Sequence, residues 1–105
     1  MYKVLVLCDA GLSSNRFIDL MKQEIEFQKL NCMLKSGAIS DFYELGKHMD
    51  IILLSPQVRF NSLKVKKMLP KVEVEIISVN DFSTLNITNV MGIIKERYNS
   101  KSVER

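Results

Sequence analysis

Apolar residues follow two different spacings along this chain of 105 residues. Four short runs are apolar almost without interruption or rich in β-branched residues, as is typical of strands in a parallel sheet. These runs cover residues 2–7, 32–35, 50–55 and 72–79. Valine and glutamate alternate in the first half of the last run, so we expect that strand near an edge of the sheet.

Helical spacing separates the four runs. From Ser13 or Ser14 to about Leu30, apolar residues that include Phe17 and Phe27 fall on one broad helical face. Further helices are predicted after Ser40-Asp41, over residues 58–69, and from Asn86 or Thr88 onward. Strand and helix thus alternate through the chain. This order predicts an α/β fold in three layers, with a parallel sheet covered by helices on both faces and right-handed crossovers.

The composition fits one globular domain. Hydrophobic residues make up 47% of the chain and charged residues 26%, which suffices for one modest core. We expect residues 1–98 to form that domain and the polar residues 99–105 to be a frayed tail. Fifteen basic and twelve acidic residues give a net charge of +3. This charge is too mild and too dispersed for a dedicated nucleic-acid surface.

The lengths of the apolar runs also bear on where the protein lies relative to the membrane. None approaches the roughly 20 residues of a membrane span. Residues 1–3 lead straight into the first strand, so the sequence shows no charged leader followed by an apolar signal core. We therefore expect a cytoplasmic domain with no direct membrane insertion, which would serve a membrane process only by docking to another protein.

The two cysteines and the single histidine form no metal motif. Cys8 and Cys32 are neither a CxxC pair nor a zinc ligand set, and we expect no metal and no cofactor. Cys32 lies in a short apolar strand and is predicted to be a core residue. His48 lies near the end of a short helix, away from the loop that follows Cys8, and is predicted to have no phosphoryl role.

Cys8 is the strongest chemical candidate, because ligands of parallel α/β sheets bind beyond the carboxyl ends of the strands. A loop that contains Gly11 follows it and leads into a helix, whose first N–H groups and positive dipole end favour anions. The same field favours a thiolate over a thiol. A buried structural cysteine is the alternative, but the loop is longer than a plain turn requires. The pattern predicts a nucleophilic cysteine that forms a phosphocysteine.

Two motifs carry a resemblance to a known family. CDAGLSS, at residues 8–14, follows the first strand, and LSPQ, at residues 54–57, follows the third. With these motifs the chain resembles the cytoplasmic IIB component of the lactose/cellobiose/chitobiose branch of the bacterial phosphoenolpyruvate-dependent sugar phosphotransferase system. That family has a cysteine followed by Ala-Gly-Met-Ser-type residues, and a Leu-x-Pro-Gln element after its third strand. The resemblance covers essentially the whole chain and implies a four-stranded parallel sheet.

The resemblance implies a phosphoryl carrier. Cys8 would accept phosphate from a phosphohistidine on a IIA protein and pass it to a β-glucoside or oligosaccharide-type sugar held by a membrane IIC permease. Gln57 follows Pro56 at the carboxyl end of the third strand, so its position predicts that it lies next to Cys8 if the first and third strands are neighbours. Its side-chain amide would then contact the phosphoryl group or a partner, with a simple turn residue as the equal alternative. The loop amides would hold the phosphoryl oxygens, and the implied phosphate-binding residues are Asp9, Ala10, Gly11, Leu12, Ser13, Ser14 and Asn15.

Asp9 departs from the family pattern, in which a small polar residue is common at this position. A carboxylate turned inward would repel a phosphate. One turned outward would influence which partner docks, and Arg16 would partly neutralise it.

Two other functions compete for the same loop. Low-molecular-weight tyrosine phosphatases and arsenate reductases place an arginine six residues after the cysteine, where this chain has Ser14. They also use a late Asp-Pro as general acid, whereas Ser55 and Leu69 precede the two prolines here. A regulatory IIB-like module without a transport role would keep the same motifs, so this second alternative stays open.

Overall fold

The computed structural model describes residues 1–9 and 15–103. In these residues four strands form one sheet with the order β2-β1-β3-β4, and every neighbouring pair is parallel. The strands are β1 Tyr2–Cys8, β2 Cys32–Ala38, β3 Ile51–Leu54 and β4 Glu73–Ile76. The position of β4 at an edge confirms the expectation from its alternating sequence.

Helices cover both faces of the sheet, as the strand–helix order predicts. The helices are α1 Asn15–Phe27, α2 Phe42–Gly46, α3 Ser62–Met68, α4 Val79–Ser83 and α5 Ile87–Val103, with 3₁₀ segments at Ile39–Asp41 and Pro56–Asn61. Side chains of β1 and β3 pack alternately into two core clusters. Val4 and Val6 face α1 and α5, while Leu5 and Leu7 face α2 and α3. Both faces of the central strands are therefore buried, which explains their unbroken apolar sequence.

The end of α1 differs from the pattern-based prediction. Phe17 is buried, but Phe27 is 74% exposed, because the helix stops at Phe27 and the chain turns away. Lys29 has a left-handed φ of 53°, and the Leu30 N–H donates to the Ile25 carbonyl at 3.0 Å. Both features belong to a helix C-terminal capping turn.

The region after β3 also corrects the prediction. One helix was expected over residues 58–69, but a 3₁₀ segment begins at Pro56 and α3 begins only at Ser62. The change of helical repeat shifts the phase of the side chains. Val58 and Val65 are buried as a result, whereas the apolar side chains of Phe60 and Leu63 are exposed.

The region after β4 contains a helix that the sequence pattern did not indicate. The strand ends at Ile76, not at residue 79, and Ser78 caps α4 by accepting a hydrogen bond from the Asp81 N–H at 3.0 Å. The buried Asp81 carboxylate then accepts hydrogen bonds from Asn86 and Asn89, at 3.2 and 2.6 Å. These bonds join α4 to the start of α5.

Helix α5 continues to Val103. It therefore passes the boundary at residue 98, and residues 99–103 are helical where a frayed tail was expected. The division of the chain into a domain of residues 1–98 and a tail of residues 99–105 stays a prediction. Over the ranges that the structure describes, no helix is both long enough and apolar enough to cross a bilayer.

Candidate functional site

Cys8 lies at the carboxyl edge of the sheet, as the last residue of the central strand β1. It pairs with Ala38 at the end of β2. On its other side the β1–β3 register matches Leu7 with Leu54, and the Ser55 N–H donates to the Leu7 carbonyl at 2.9 Å. The next residues in register are therefore Cys8 and Ser55. Ile77 lies in register beside Ser55, because the Ile77 N–H donates to the Leu54 carbonyl at 2.8 Å. We call these four adjacent residues, Ala38, Cys8, Ser55 and Ile77, the edge row.

The sulfur of Cys8 belongs to the α1/α5 face of the sheet. Successive side chains of a strand point to opposite faces, so Cys8 shares its face with Val4 and Val6, which contact that core cluster. Cys8 is a thiol outside any disulfide, and it is 1% exposed. Because the residue is covered, a reaction partner has access to the sulfur only after a local opening.

The structure describes the two ends of the predicted phosphate-binding loop. Asp9 is exposed at the carboxyl edge, and Asn15 is the first residue of α1. Arg16 is exposed in the first turn of the same helix. Ala10, Gly11, Leu12, Ser13 and Ser14 lie outside the described residues. Their assignment as phosphate ligands stays a prediction.

Ser55 is a polar residue of this edge that sequence reasoning did not single out for chemistry. It is 0% exposed, and its hydroxyl oxygen has no hydrogen-bond partner among the described residues. Its backbone is satisfied, since its carbonyl accepts from the Val58 N–H at 3.0 Å. Pro56 restricts the preceding residue to extended conformations, and Ser55 has φ −65° and ψ 159°. The sequence feature that could have indicated Ser55 is a hydroxyl-bearing residue at the end of an otherwise apolar run.

Gln57 is exposed one residue beyond Pro56, at the same edge of the sheet. The guanidinium of Arg59 donates to the Pro56 carbonyl at 2.7 Å and lies 4.5 Å from the centre of the Phe60 ring. A cation, an amide and an exposed aromatic ring are thus placed together on the segment that follows Ser55. The sequence pattern indicated Gln57 but not Arg59.

Cys32 occupies the opposite end of the sheet, where it pairs with Tyr2 at the start of β1. It is half-buried, and burial raises the pKa of its thiol, which disfavours the thiolate. Two surface concavities of about 400 and 210 Å³ adjoin Cys32. His48 is exposed between α2 and β3. Neither residue is brought to the edge row.

A sequence profile of the family described as "PTS system, Lactose/Cellobiose specific IIB subunit" matches residues 3–92. The chain belongs to this family. The resemblance noted from the CDAGLSS and LSPQ motifs is therefore confirmed. IIB subunits of the phosphotransferase system are phosphotransferase components, so this chain has a phosphoryl-transfer role in sugar uptake, and membership implies partnership with IIA and IIC components.

Two solved structures show the same fold. The lactose-specific IIB component domain of the phosphotransferase system from Streptococcus pneumoniae has a TM-score of 0.78 and 22% sequence identity, and the match covers 92% of this chain and 97% of that one. The cellobiose-specific phosphotransferase IIB component from Borrelia burgdorferi has a TM-score of 0.77 and 26% identity, with 95% of this chain and 94% of that one covered. The four-stranded parallel α/β architecture is thus that of a IIB subunit.

Proposed function

We propose that this IIB subunit carries phosphate as a phosphocysteine on Cys8. The donor is a phosphohistidine on a IIA protein, and the acceptor is a β-glucoside or oligosaccharide-type sugar held by a membrane IIC permease. The observation that supports the proposal most is the position of Cys8 at the carboxyl end of the central strand, where parallel sheets place their ligands. Cys32, at the other end of the sheet, has a thiol whose pKa is raised.

Two half-reactions make up the carrier cycle. In the first, the Cys8 thiol loses its proton to solvent, and an electron pair on the thiolate sulfur forms the S–P bond while the N–P bond of the phosphohistidine breaks. The imidazole nitrogen keeps that bonding pair and takes up a proton from solvent. In the second, a sugar hydroxyl oxygen forms an O–P bond and the S–P bond breaks. The S–P electron pair returns to sulfur as a thiolate, and the hydroxyl proton passes to a base of the permease complex. Both steps depend mainly on in-line positioning and charge stabilisation.

The backbone amides of residues 9–15 are proposed to hold the phosphoryl oxygens. Support comes from the two described ends of this segment, since Cys8 precedes it directly and α1 begins at Asn15. The start of a helix attracts anions through its unpaired N–H groups and its dipole. The exposed Asp9 carboxylate is proposed to influence partner choice.

Partner docking is proposed to open the site, because Cys8 is covered. The exposed Gln57 lies on the same edge, and we assign it a contact with the docked partner. A carrier benefits from this arrangement, since a covered phosphocysteine is protected from water between the two half-reactions.

The test is a phosphorylation assay with intact-mass detection. The purified subunit is incubated with phosphoenolpyruvate, the general phosphotransferase proteins and a IIA partner, and it should gain one phosphoryl group. Cys8→Ser should abolish the gain, and Cys32→Ser, the matched control, should retain it. Phosphorylation of the Cys8→Ser protein, or its loss in the Cys32→Ser protein, would overturn the assignment.

The same preparation separates a carrier from a phosphatase. A carrier keeps its phosphate after the donor is removed and loses it only when the permease and sugar are added. Rapid release of inorganic phosphate without an acceptor would contradict the carrier function.

A further inference from the structure

The edge row brings two polar side chains together on one face of the sheet. Cys8 and Ser55 are adjacent in register on β1 and the end of β3, and neighbouring strands lie about 4.8 Å apart. Paired residues of parallel strands direct their side chains to the same face. The preceding pairs, Val4 with Ile51 and Val6 with Leu53, all contact the α1/α5 core cluster. Since Ser55 is held extended by Pro56, this alternation continues to the edge row.

The Ser55 hydroxyl is buried without a described hydrogen-bond partner, which is an unfavourable arrangement. The outer members of the edge row, Ala38 and Ile77, have no side-chain acceptor to offer it. Alanine would fill nearly the same volume without this penalty. An acceptor that forms in another state of the site would remove this penalty.

The sulfur of Cys8 can become such an acceptor when its charge changes. A neutral thiol is a weak acceptor, whereas a thiolate is a strong one. Since Ser55 is in register beside Cys8 and neighbouring strands lie about 4.8 Å apart, rotation about the serine Cα–Cβ bond can bring the hydroxyl toward the sulfur.

We propose that the Ser55 hydroxyl donates a hydrogen bond to the Cys8 sulfur when that sulfur is a thiolate. The bond stabilises negative charge before Cys8 attacks the donor phosphate and again when the S–P bond breaks. The role in transfer rests on the proposed carrier function, but the hydrogen bond does not require it. Ser55 is thus a catalytic residue supplied by the chain directly after β3, distinct from the amides of the loop after β1.

The first experiment measures the rate of alkylation of Cys8 by iodoacetamide against pH, in the Cys32→Ser background. Ser55→Ala should move the midpoint of the profile upward by about one pH unit, because the thiolate loses a charge-assisted hydrogen bond. Ser55→Gly removes the same hydroxyl and should give the same shift. An unchanged midpoint in both variants would overturn the proposal.

Ser78→Ala is the matched control, because the Ser78 hydroxyl already has a partner in the Asp81 N–H at 3.0 Å. Loss of this helix cap should lower the melting temperature and leave the alkylation midpoint in place. Ser55→Ala should show the opposite combination, with a shifted midpoint and an equal or higher melting temperature, since it removes an unsatisfied buried group. A lower melting temperature without a shifted midpoint would mean that Ser55 is a packing residue only.

The second experiment measures phosphoryl transfer from the phosphorylated IIA protein to the Cys32→Ser subunit. Ser55→Ala should slow transfer by about tenfold. A wild-type rate together with an unchanged alkylation midpoint would remove Ser55 from the mechanism. Failure of the unmodified subunit to accept phosphate would instead contradict the proposed function, while the alkylation profile would still decide whether Ser55 binds the thiolate.

Discussion

The two ends of the sheet differ in how completely their polar groups are paired. At the amino end, the Asp50 carboxylate accepts the Lys3 N–H at 2.8 Å, and Arg97 forms ion pairs with Glu73 and Glu75. At the carboxyl end, the buried Ser55 hydroxyl has no partner among the described residues. The amino end therefore satisfies its polar groups within the fold, and the carboxyl end holds one without a partner beside Cys8.

The two cysteines follow the same division. Cys32 lies at the amino end, where burial raises the pKa of its thiol, and Cys8 lies at the carboxyl end. The paired groups of the amino end stabilise the fold, while the unpartnered Ser55 hydroxyl beside Cys8 has a cost in stability. Variants that act separately on the two ends can test this division.

The largest expected difference is between two phenylalanines of α1, which runs from the carboxyl end to the amino end. Phe17 is 1% exposed and stacks on Phe82 with ring centres 5.1 Å apart. Phe17→Ala should lower the free energy of unfolding by about 3–5 kcal/mol. Phe27→Ala should change it by less than about 0.5 kcal/mol, because Phe27 is largely exposed. Urea denaturation of both variants measures this, and similar losses would contradict the orientation of α1.

The second largest expected effect is on the stability of the protein at alkaline pH, and it involves Tyr2 at the amino end of the sheet. Burial, with a smaller contribution from the Asp50 carboxylate, raises the pKa of Tyr2 from 10.0 to about 12. The folded state thus favours the neutral phenol. This contribution is fully present below about pH 10 and is lost as the pH rises to about 12, with a total of about 3 kcal/mol.

Tyr2→Phe removes this titration. Thermal unfolding between pH 9 and pH 12 should show a shallower loss of stability in the variant than in the parent protein. Identical slopes would mean that Tyr2 is accessible to hydroxide in the folded state. A steeper slope in the variant would contradict the direction of the pKa shift.

The smallest effect concerns the ion pairs of Arg97. Its side chain and those of Glu73 and Glu75 are partly exposed, and such pairs contribute about 0.5–1 kcal/mol. Arg97→Met should lower the free energy of unfolding by that amount at low ionic strength, and by less at about 1 M salt. Lys95→Met, an exposed control on the same helix, should have no comparable salt-dependent effect. A salt-independent loss in Arg97→Met would indicate packing rather than charge.

Sequence reasoning was most successful for the sheet. The strands of a parallel sheet are buried on both faces, so their apolar runs are visible without knowledge of the rest of the chain. The alternation in β4 likewise predicted its edge position. Helix α4 was missed because five residues are too few to show a helical period, and the Ser78 cap that defines it stood inside a predicted strand. The exposure of Phe60 depends on a 3₁₀ segment that shifts the helical phase after Pro56.

The candidate site could be predicted only in part. Cys8 was found because its position at the end of the first strand is a local feature of the sequence. The neighbourhood of Ser55 depends on which strands pair and in which register, and its lack of a partner depends on burial by distant segments. Such properties have no signature in a short motif. The predicted roles of residues 10–14 lie outside the described residues.

The pairing of β1 with β3 has a consequence for the synthesis of this protein. Cys8 lies in β1, but its neighbour Ser55 is synthesised only after β1, β2 and the helices that follow these two strands. An unfinished chain therefore has the Cys8 sulfur without the hydroxyl beside it. Under the proposed carrier function, phosphoryl transfer at the full rate should arise only after the segment that follows β3 has docked beside β1.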